Sequence, residues 1–148
     1  MQTRDLFKMI LKEKTRLKAL IRKAIGEGRT LLNEGESKAF LAAYRIPTTT
    51  PSIVHNEEEA LAIARNIGYP VVIKIVSPDI THKTDVGGVT VGIRSKEQLK
   101  QAYGYMMTTV KERAPKAMIE GISVQKMIED IDYEVILGSK KDKDFGSV

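Results

Sequence analysis

Apolar residues recur along this chain in two rhythms, one helical and one strand-like, with glycine and proline marking the breaks. From about Asp5 to Ile25 there is no Pro or Gly, and Leu6, Ile10, Leu17, Ile21 and Ala24 recur at three-, four- or seven-residue spacing with lysines and arginines between them. This pattern predicts an amphipathic helix that Gly26 and Gly28 end. A second helix is predicted over Asn33 to Tyr44, where Asn33 and Glu36 have capping-box spacing and Phe40, Leu41 and Tyr44 supply an apolar side. Ile46-Pro47 then forces the chain extended, because the residue before proline avoids the α region. A short strand follows at Ser52 to Val54. Asn56 is a good N-cap for a third helix, with Glu57, Glu58 and Glu59 complementing the dipole of its first turn. Leu61, Ile63, Ala64 and Ile67 form its buried side, and Gly68 stops it.

Val71 to Val76 is a short apolar run rich in β-branched residues, bounded by Gly68, Pro70 and Pro78, and reads as a buried strand. A polar loop and the pair Gly87-Gly88 lead into a second strand, Val89 to Ile93. Ser95 and Gln98 then form a capping box for a helix to about Arg113, with Leu99, Ala102, Tyr103, Met106 and Val110 along one side. The methionines, Met106 and Met107, are read as core filling. Two further segments, Ile122 to Ile128 and Tyr133 to Gly138, flank the acidic turn Glu129 to Asp132 and suit a hairpin. The resulting order, ααβαββαββ, predicts an α+β fold with an antiparallel sheet and flanking helices. No GxGxxG or GxxxxGK[ST] spacing occurs, so neither a Rossmann site nor a P-loop is supported.

Composition changes this picture at a few points. The 148 residues suffice for one domain or two small lobes. With 42% hydrophobic and 29% charged residues the chain is expected to fold. The absence of cysteine excludes disulfides and thiolate metal sites and fits a reducing compartment. Met1 is followed by a charged stretch, and no apolar run approaches the roughly 20 residues of a membrane span. A cytoplasmic protein without a membrane partner is the expectation. The net charge of +5 is uneven: residues 1–23 carry eight Lys/Arg against two Asp/Glu, and the rest of the chain is net −1. The basic character therefore belongs to the first helix, whose charged face is read as solvated, and nucleic acid is not an expected partner.

The chemistry concentrates between Gly68 and Ile93. Lys74 interrupts an apolar strand, and an unpaired buried ammonium costs several kcal/mol or loses its proton. It must therefore either reach out at a sheet edge or meet an anion. The loop from Ser77 to Asp85 holds His82 and Lys83, and Gly87-Gly88 allow close backbone approach. Lysine, polar loop and Gly-Gly turn together suit a phosphate cradle.

The run YPVVIKIVSPDITHKTDVGGVTVGI, Tyr69 to Ile93, resembles the signature of the ATP-grasp subunit of ADP-forming acetyl-CoA synthetases. So do VQKMIEDIDYEVILGSKKDKDFGSV at the end of the chain, the helix from Gly35 to Tyr44, the Ile46-Pro47 turn and the Glu-rich helix before Gly68. The resemblance covers about residues 30–148, an ATP-grasp front lobe and hinge, and leaves residues 1–29 as a basic helix and linker. It implies an enzyme that interconverts acyl-CoA, ADP and phosphate with free acid, CoA and ATP, carrying the phosphoryl group on histidine. Lys74 matches the strand lysine that contacts nucleotide phosphates, and Gly87 and Gly88 match the glycine loop over them. His82 matches the phosphoryl acceptor, with Lys83 and Lys74 as flanking cations. Gln125, Lys126, Met127 and Ile128 match the interlobe hinge, where the Lys126 carbonyl and the Ile128 N–H would read the adenine edge. Glu134 matches the carboxylate on the ribose hydroxyls.

The resemblance also implies ATP/ADP and Mg²⁺ as cofactors. The partner would be a CoA-binding alpha subunit or fused domain that brings CoA and the acyl substrate, giving a hetero-oligomer. In the family the chain continues past the FGxV motif into a second lobe that holds the Mg²⁺ ligands. Here Ser147 stands in that motif and no such lobe follows, so a truncated second lobe is expected and Asp142 and Asp144 are not read as metal ligands. On this reading the 148-residue chain alone turns over acyl-CoA weakly or not at all. Two other readings stay open. One is a non-catalytic nucleotide-binding or regulatory module, and the other is an adaptor acting through its basic first helix.

Overall fold

The computed structural model describes residues 3–133 and 138–147. Four helices, α1 (Thr3–Gly26), α2 (Glu34–Ala43), α3 (Glu57–Ile67) and α4 (Lys96–Arg113), accompany β1 (Ser52–Val54), β2 (Val71–Val76), β3 (Val89–Ile93) and β4 (Gly121–Lys126). A two-residue pair, β5 (Lys141–Asp142) and β6 (Gly146–Ser147), closes the described chain. The four longer strands form one sheet in the order β1-β4-β2-β3, antiparallel at every pairing. The architecture is the α+β arrangement expected from the order of elements. Among the described residues no helix is long and apolar enough to cross a membrane.

The helix starts are built as their sequences dictate. Asn33 accepts from the Glu36 N–H while Glu36 accepts from the Asn33 N–H, a complete capping box. Asn56 caps α3 through the Glu59 N–H, and Ser95 caps α4 through the Gln98 N–H. The reciprocal arms of the last two reach one residue further back: Glu59 accepts from the His55 N–H and Gln98 from the Arg94 N–H. Glu36 also receives both Arg29 nitrogens, at 2.9 and 2.8 Å, which ties the end of the α1 linker to the start of α2.

One face of the sheet is covered. Val71, Ile73 and Ile75 of β2 pair across to Lys126, Val124 and Ile122 of β4, and the aliphatic members of that face pack with Ala60 and Ala64 of α3 and Leu99, Met106 and Val110 of α4. The alternate residues point the other way, and that second, polar face carries Val72, Lys74, Ser123 and Gln125, of which Val72, Ser123 and Gln125 are also buried. Met106 is fully buried, in line with its reading as core.

Three expectations change, and one lies outside the described residues. Tyr44 lies at the C-cap of α2 and is 74% exposed rather than part of an apolar face, because the helix ends before its ring can turn inward. On α1, Leu17 and Ala24 are buried but Ile21 is largely exposed, so the apolar stripe is only partly covered. The strand expected at Ile122 to Ile128 stops at Lys126: the Met127 N–H still reaches the Pro70 carbonyl in register, but Pro70 has no N–H to donate back and the ladder ends there. That strand pairs with β1 and β2, both distant in sequence. The hairpin partner expected at Tyr133 to Gly138 falls mostly on residues 134–137, outside the described residues.

The end of α2 contains a conformational misfit. Arg45 sits at φ 60°, with its N–H on the Ala42 carbonyl and the Ile46 N–H on the Leu41 carbonyl, a Schellman closure. A residue with a Cβ is strained in the left-handed region, and glycine is not. Arg45→Gly is expected to raise unfolding stability by about 1 kcal/mol, measured by urea denaturation with an unchanged m-value.

Candidate functional site

The polar sheet face solves the problem of Lys74. β2 lies between β4 and β3, so Lys74 is on an interior strand and has no sheet edge to reach. It meets an anion instead, and that anion is part of the chain. Lys74 Nζ lies 2.8 Å from Glu34 Oε1. Lys38 Nζ lies 2.8 Å from the same oxygen and also donates to Gln125 Oε1 at 2.8 Å and to Thr49 Oγ1 at 2.9 Å. Glu34 opens α2 and Lys38 sits one turn later, the i,i+4 spacing that places both on one side of the helix. A carboxylate is also favoured at that helix N-terminus. Partial burial would push the Glu34 carboxyl up, but hydrogen bonds from Lys38 and Lys74 outweigh it and hold the group below its ordinary 4.5.

Beside this cluster, Ser123 and Gln125 are buried polar residues facing the same way. Ser123 Oγ donates to the Lys74 carbonyl at 3.3 Å. A lysine ammonium only donates, so the Gln125 atom against Lys38 is its oxygen. The Gln125 amide oxygen therefore already accepts one hydrogen bond within the chain. Past Gln125, Lys126 turns to the covered side, where its ammonium bonds the Gly68 and Tyr69 carbonyls at the C-terminal end of α3. Met127 is half-buried, with its N–H on Pro70. Ile128 is exposed, and its N–H meets no acceptor among the described residues. Glu134 lies outside the described residues.

The loop after β2 is pinned at both ends. Asp79 accepts from the Met118 N–H at 2.7 Å, Ile80 is buried, and the Arg113 guanidinium holds the Asp85 carbonyl at 3.2 Å. Between these ties His82 is exposed and Lys83 half-buried, and neither side chain makes a hydrogen bond or ion pair among the described residues. The glycines do not match the expectation of free N–H groups. In this conformation the Gly87 N–H donates to Thr84 and the Gly88 N–H to Lys83, while the Gly88 carbonyl accepts from Ile75 on β2. Both donors are used inside the turn, so they do not present themselves to an anion. The requirement for glycine is steric: a Cβ on Gly88 would lie 2.5 Å from Ile75 Cγ2 and 3.0 Å from the Lys83 carbonyl. Gly87 has φ 73°, and a Cβ there would lie 2.9 Å from Thr109 Cγ2.

Strand alternation puts Lys74 and Gln125 on one face, and two residues that sequence reasoning missed, Glu34 and Lys38, link them there. The i,i+4 pairing of Glu34 and Lys38 was visible, but their shared target across the sheet was not. Among the described residues no three His, Asp or Glu side chains come together to hold a metal ion.

Residues 23–148 match the ATP-grasp domain family. The chain is 41% identical over 134 residues to acetate–CoA ligase (ADP-forming) I of Archaeoglobus fulgidus, covering 90% of this chain and 19% of that one. It is 40% identical over 127 residues to the beta subunit of acetate–CoA ligase (ADP-forming) I of Pyrococcus furiosus, covering 86% and 54%. A solved relative is the dinucleotide forming acetyl-coenzyme A synthetase 1 of Ca. Korarchaeum cryptofilum in complex with coenzyme A and Ca-AMPCP. It has a TM-score of 0.75 and 41% identity over 88% of this chain and 56% of that one. The same enzyme has been solved with Mg-AMPPCP and its phosphohistidine segment pointing towards the nucleotide binding site, with a TM-score of 0.64, 34% identity and coverage of 88% and 54%. The chain spans about half the length of these relatives or less.

Two outcomes follow from the geometry. Gly88→Ala should destabilise the chain by about 1–3 kcal/mol, because Ile75 and the Lys83 carbonyl must move, read from the urea midpoint. Glu34→Gln should be less stable than the parent at pH 7, by about 1 kcal/mol after allowance for partial exposure. The sign with pH follows from the lowered carboxyl. Its contribution is complete above the unfolded value near 4.5 and is lost as pH falls through the lower folded value. The difference between the two proteins should therefore shrink toward zero in acid.

Proposed function

The chain belongs to the ATP-grasp domain family, and from that premise we infer that it is the nucleotide-binding part of an ADP-forming acyl-CoA ligase. The observation that carries this reading is Lys74. It is a half-buried cation on the polar face of an interior strand, with one of its three donors on Glu34 and two without a partner among the described residues. Those donors suit the oxygens of a nucleotide's phosphates.

In this reading His82 is the catalytic residue. Its exposed imidazole attacks the terminal phosphorus of ATP, the N–P bond forms as the bridging P–O bond breaks, and ADP leaves with the electron pair. The reverse step makes ATP from ADP. Lys74 and Lys83 offset charge building on the transferred oxygens. Gly87 and Gly88 hold the turn against β2 and so set where the loop carrying His82 begins and ends. Gln125, Lys126, Met127 and Ile128 line the base end. There the unshared Ile128 N–H and the Lys126 carbonyl suit the adenine edge, and Met127 supplies a spacer whose own N–H is turned away. Glu134 is assigned the ribose hydroxyls on the family resemblance alone. Mg²⁺ would neutralise phosphate charge when bound, but the described residues do not form a site for it. CoA and the acyl group belong to a CoA-binding partner subunit or domain.

Incubated with ATP labelled at the γ-phosphate, the chain should take up acid-labile label, and His82→Ala should take up none. Lys74→Ala should weaken ADP binding about tenfold or more by calorimetry, with the fold retained by circular dichroism. Label persisting in the His82 variant would remove His82 from the mechanism.

A further inference from the structure

The two lysines at the polar face have different hydrogen-bond balances. Lys38 has three oxygens within 2.9 Å, those of Glu34, Gln125 and Thr49, and a lysine ammonium has three donors. It has none left for a ligand. Lys74 bonds Glu34 and keeps two donors among the described residues. Each ammonium is 2.8 Å from the same oxygen, so the two charges are at most twice that distance apart. Without an anion between them they would repel. The contacts are directional. β4, through Gln125, and the segment before β1, through Thr49, fix Lys38. Lys38 fixes the Glu34 oxygen, and that oxygen fixes Lys74.

We propose that Glu34 and Lys38 are positioning residues, a relay that holds the Lys74 ammonium at the polar sheet face with its free donors directed at a nucleotide's phosphates. This rests on the reading of Lys74 as a phosphate contact and adds a physical requirement to it. A lysine has four side-chain torsions, and fixing them before the ligand arrives removes an entropic cost from binding. Glu34 stays in place in the complex, since Lys74 has donors enough for both anions. A carboxylate so close to a phosphate site is tolerable because Lys38, which never touches the ligand, offsets its charge.

The test is a mutant cycle on the full chain with ADP as the probe, read by calorimetry. Glu34→Gln and Lys38→Met should each weaken ADP binding by about five- to tenfold in the parent background and have little effect in a Lys74→Ala background, since both act through Lys74. A purely structural loss would weaken binding in both backgrounds. A second measurement needs no ligand: ¹³C relaxation of the lysine ε-carbons should find Lys74 restricted in the parent and mobile in either variant. Tighter ADP binding by Glu34→Gln would mean that Glu34 competes with phosphate, and would overturn the proposal while leaving Lys74 as the contact. Equal Lys74 mobility in all three proteins would overturn it too. ADP binding untouched by Lys74→Ala, or absent from the parent, would overturn the functional reading itself, and the relay to the phosphates with it.

Discussion

A cation in the middle of a sheet is the constraint around which this molecule is arranged. Lys74 cannot lie among Ile73, Ile75 and their partners, and it cannot escape at an edge, because β4 and β3 flank its strand. The chain answers with Glu34, which opens α2 and reaches Lys74 on the polar face of the sheet. Burial opposes a charged carboxylate there, and two ammoniums overcome that opposition. The result is a small charged layer on one face of a sheet whose other face is an ordinary aliphatic core.

That division into two faces explains most of the remaining architecture. Alternation along β2 and β4 sends Ile73, Ile75, Ile122 and Val124 toward α3 and α4, and Lys74, Ser123 and Gln125 the other way. A one-residue slip of register would bury the lysine and expose the isoleucines, so the apolar core enforces the position of the charged group. The loop carrying His82 is held from the covered side by Ile80 and Arg113, and by Gly88 against Ile75. Core and site are therefore mechanically joined at β2.

Much of this was legible in the chain itself, for identifiable reasons. The caps at Asn33, Asn56 and Ser95 act over three residues, and local spacing determines them. The β2–β3 hairpin follows from two β-branched runs and the glycines between them. The long motif from Tyr69 to Ile93 pointed to the ATP-grasp family, which the match over residues 23–148 bears out. The cradle at Gly87-Gly88 was less legible. Glycine there signals either an exposed N–H or a close approach, and the sequence does not distinguish them. Packing against Ile75 and Thr109 does.

What the sequence determined alone is what neighbours within a few residues can decide: where helices begin and end, which runs are strands, and that Lys74 needed either an edge or an anion. Which of the two it found was decided only in three dimensions. The strand order β1-β4-β2-β3 removed the edge, and a carboxylate 40 positions away supplied the anion. Lys38 reached Gln125 across a separation of 87 positions. Periodicity carries no information on such pairs, because they depend on how a helix docks against a sheet, and docking is set by the fit of the whole core rather than by any local rhythm.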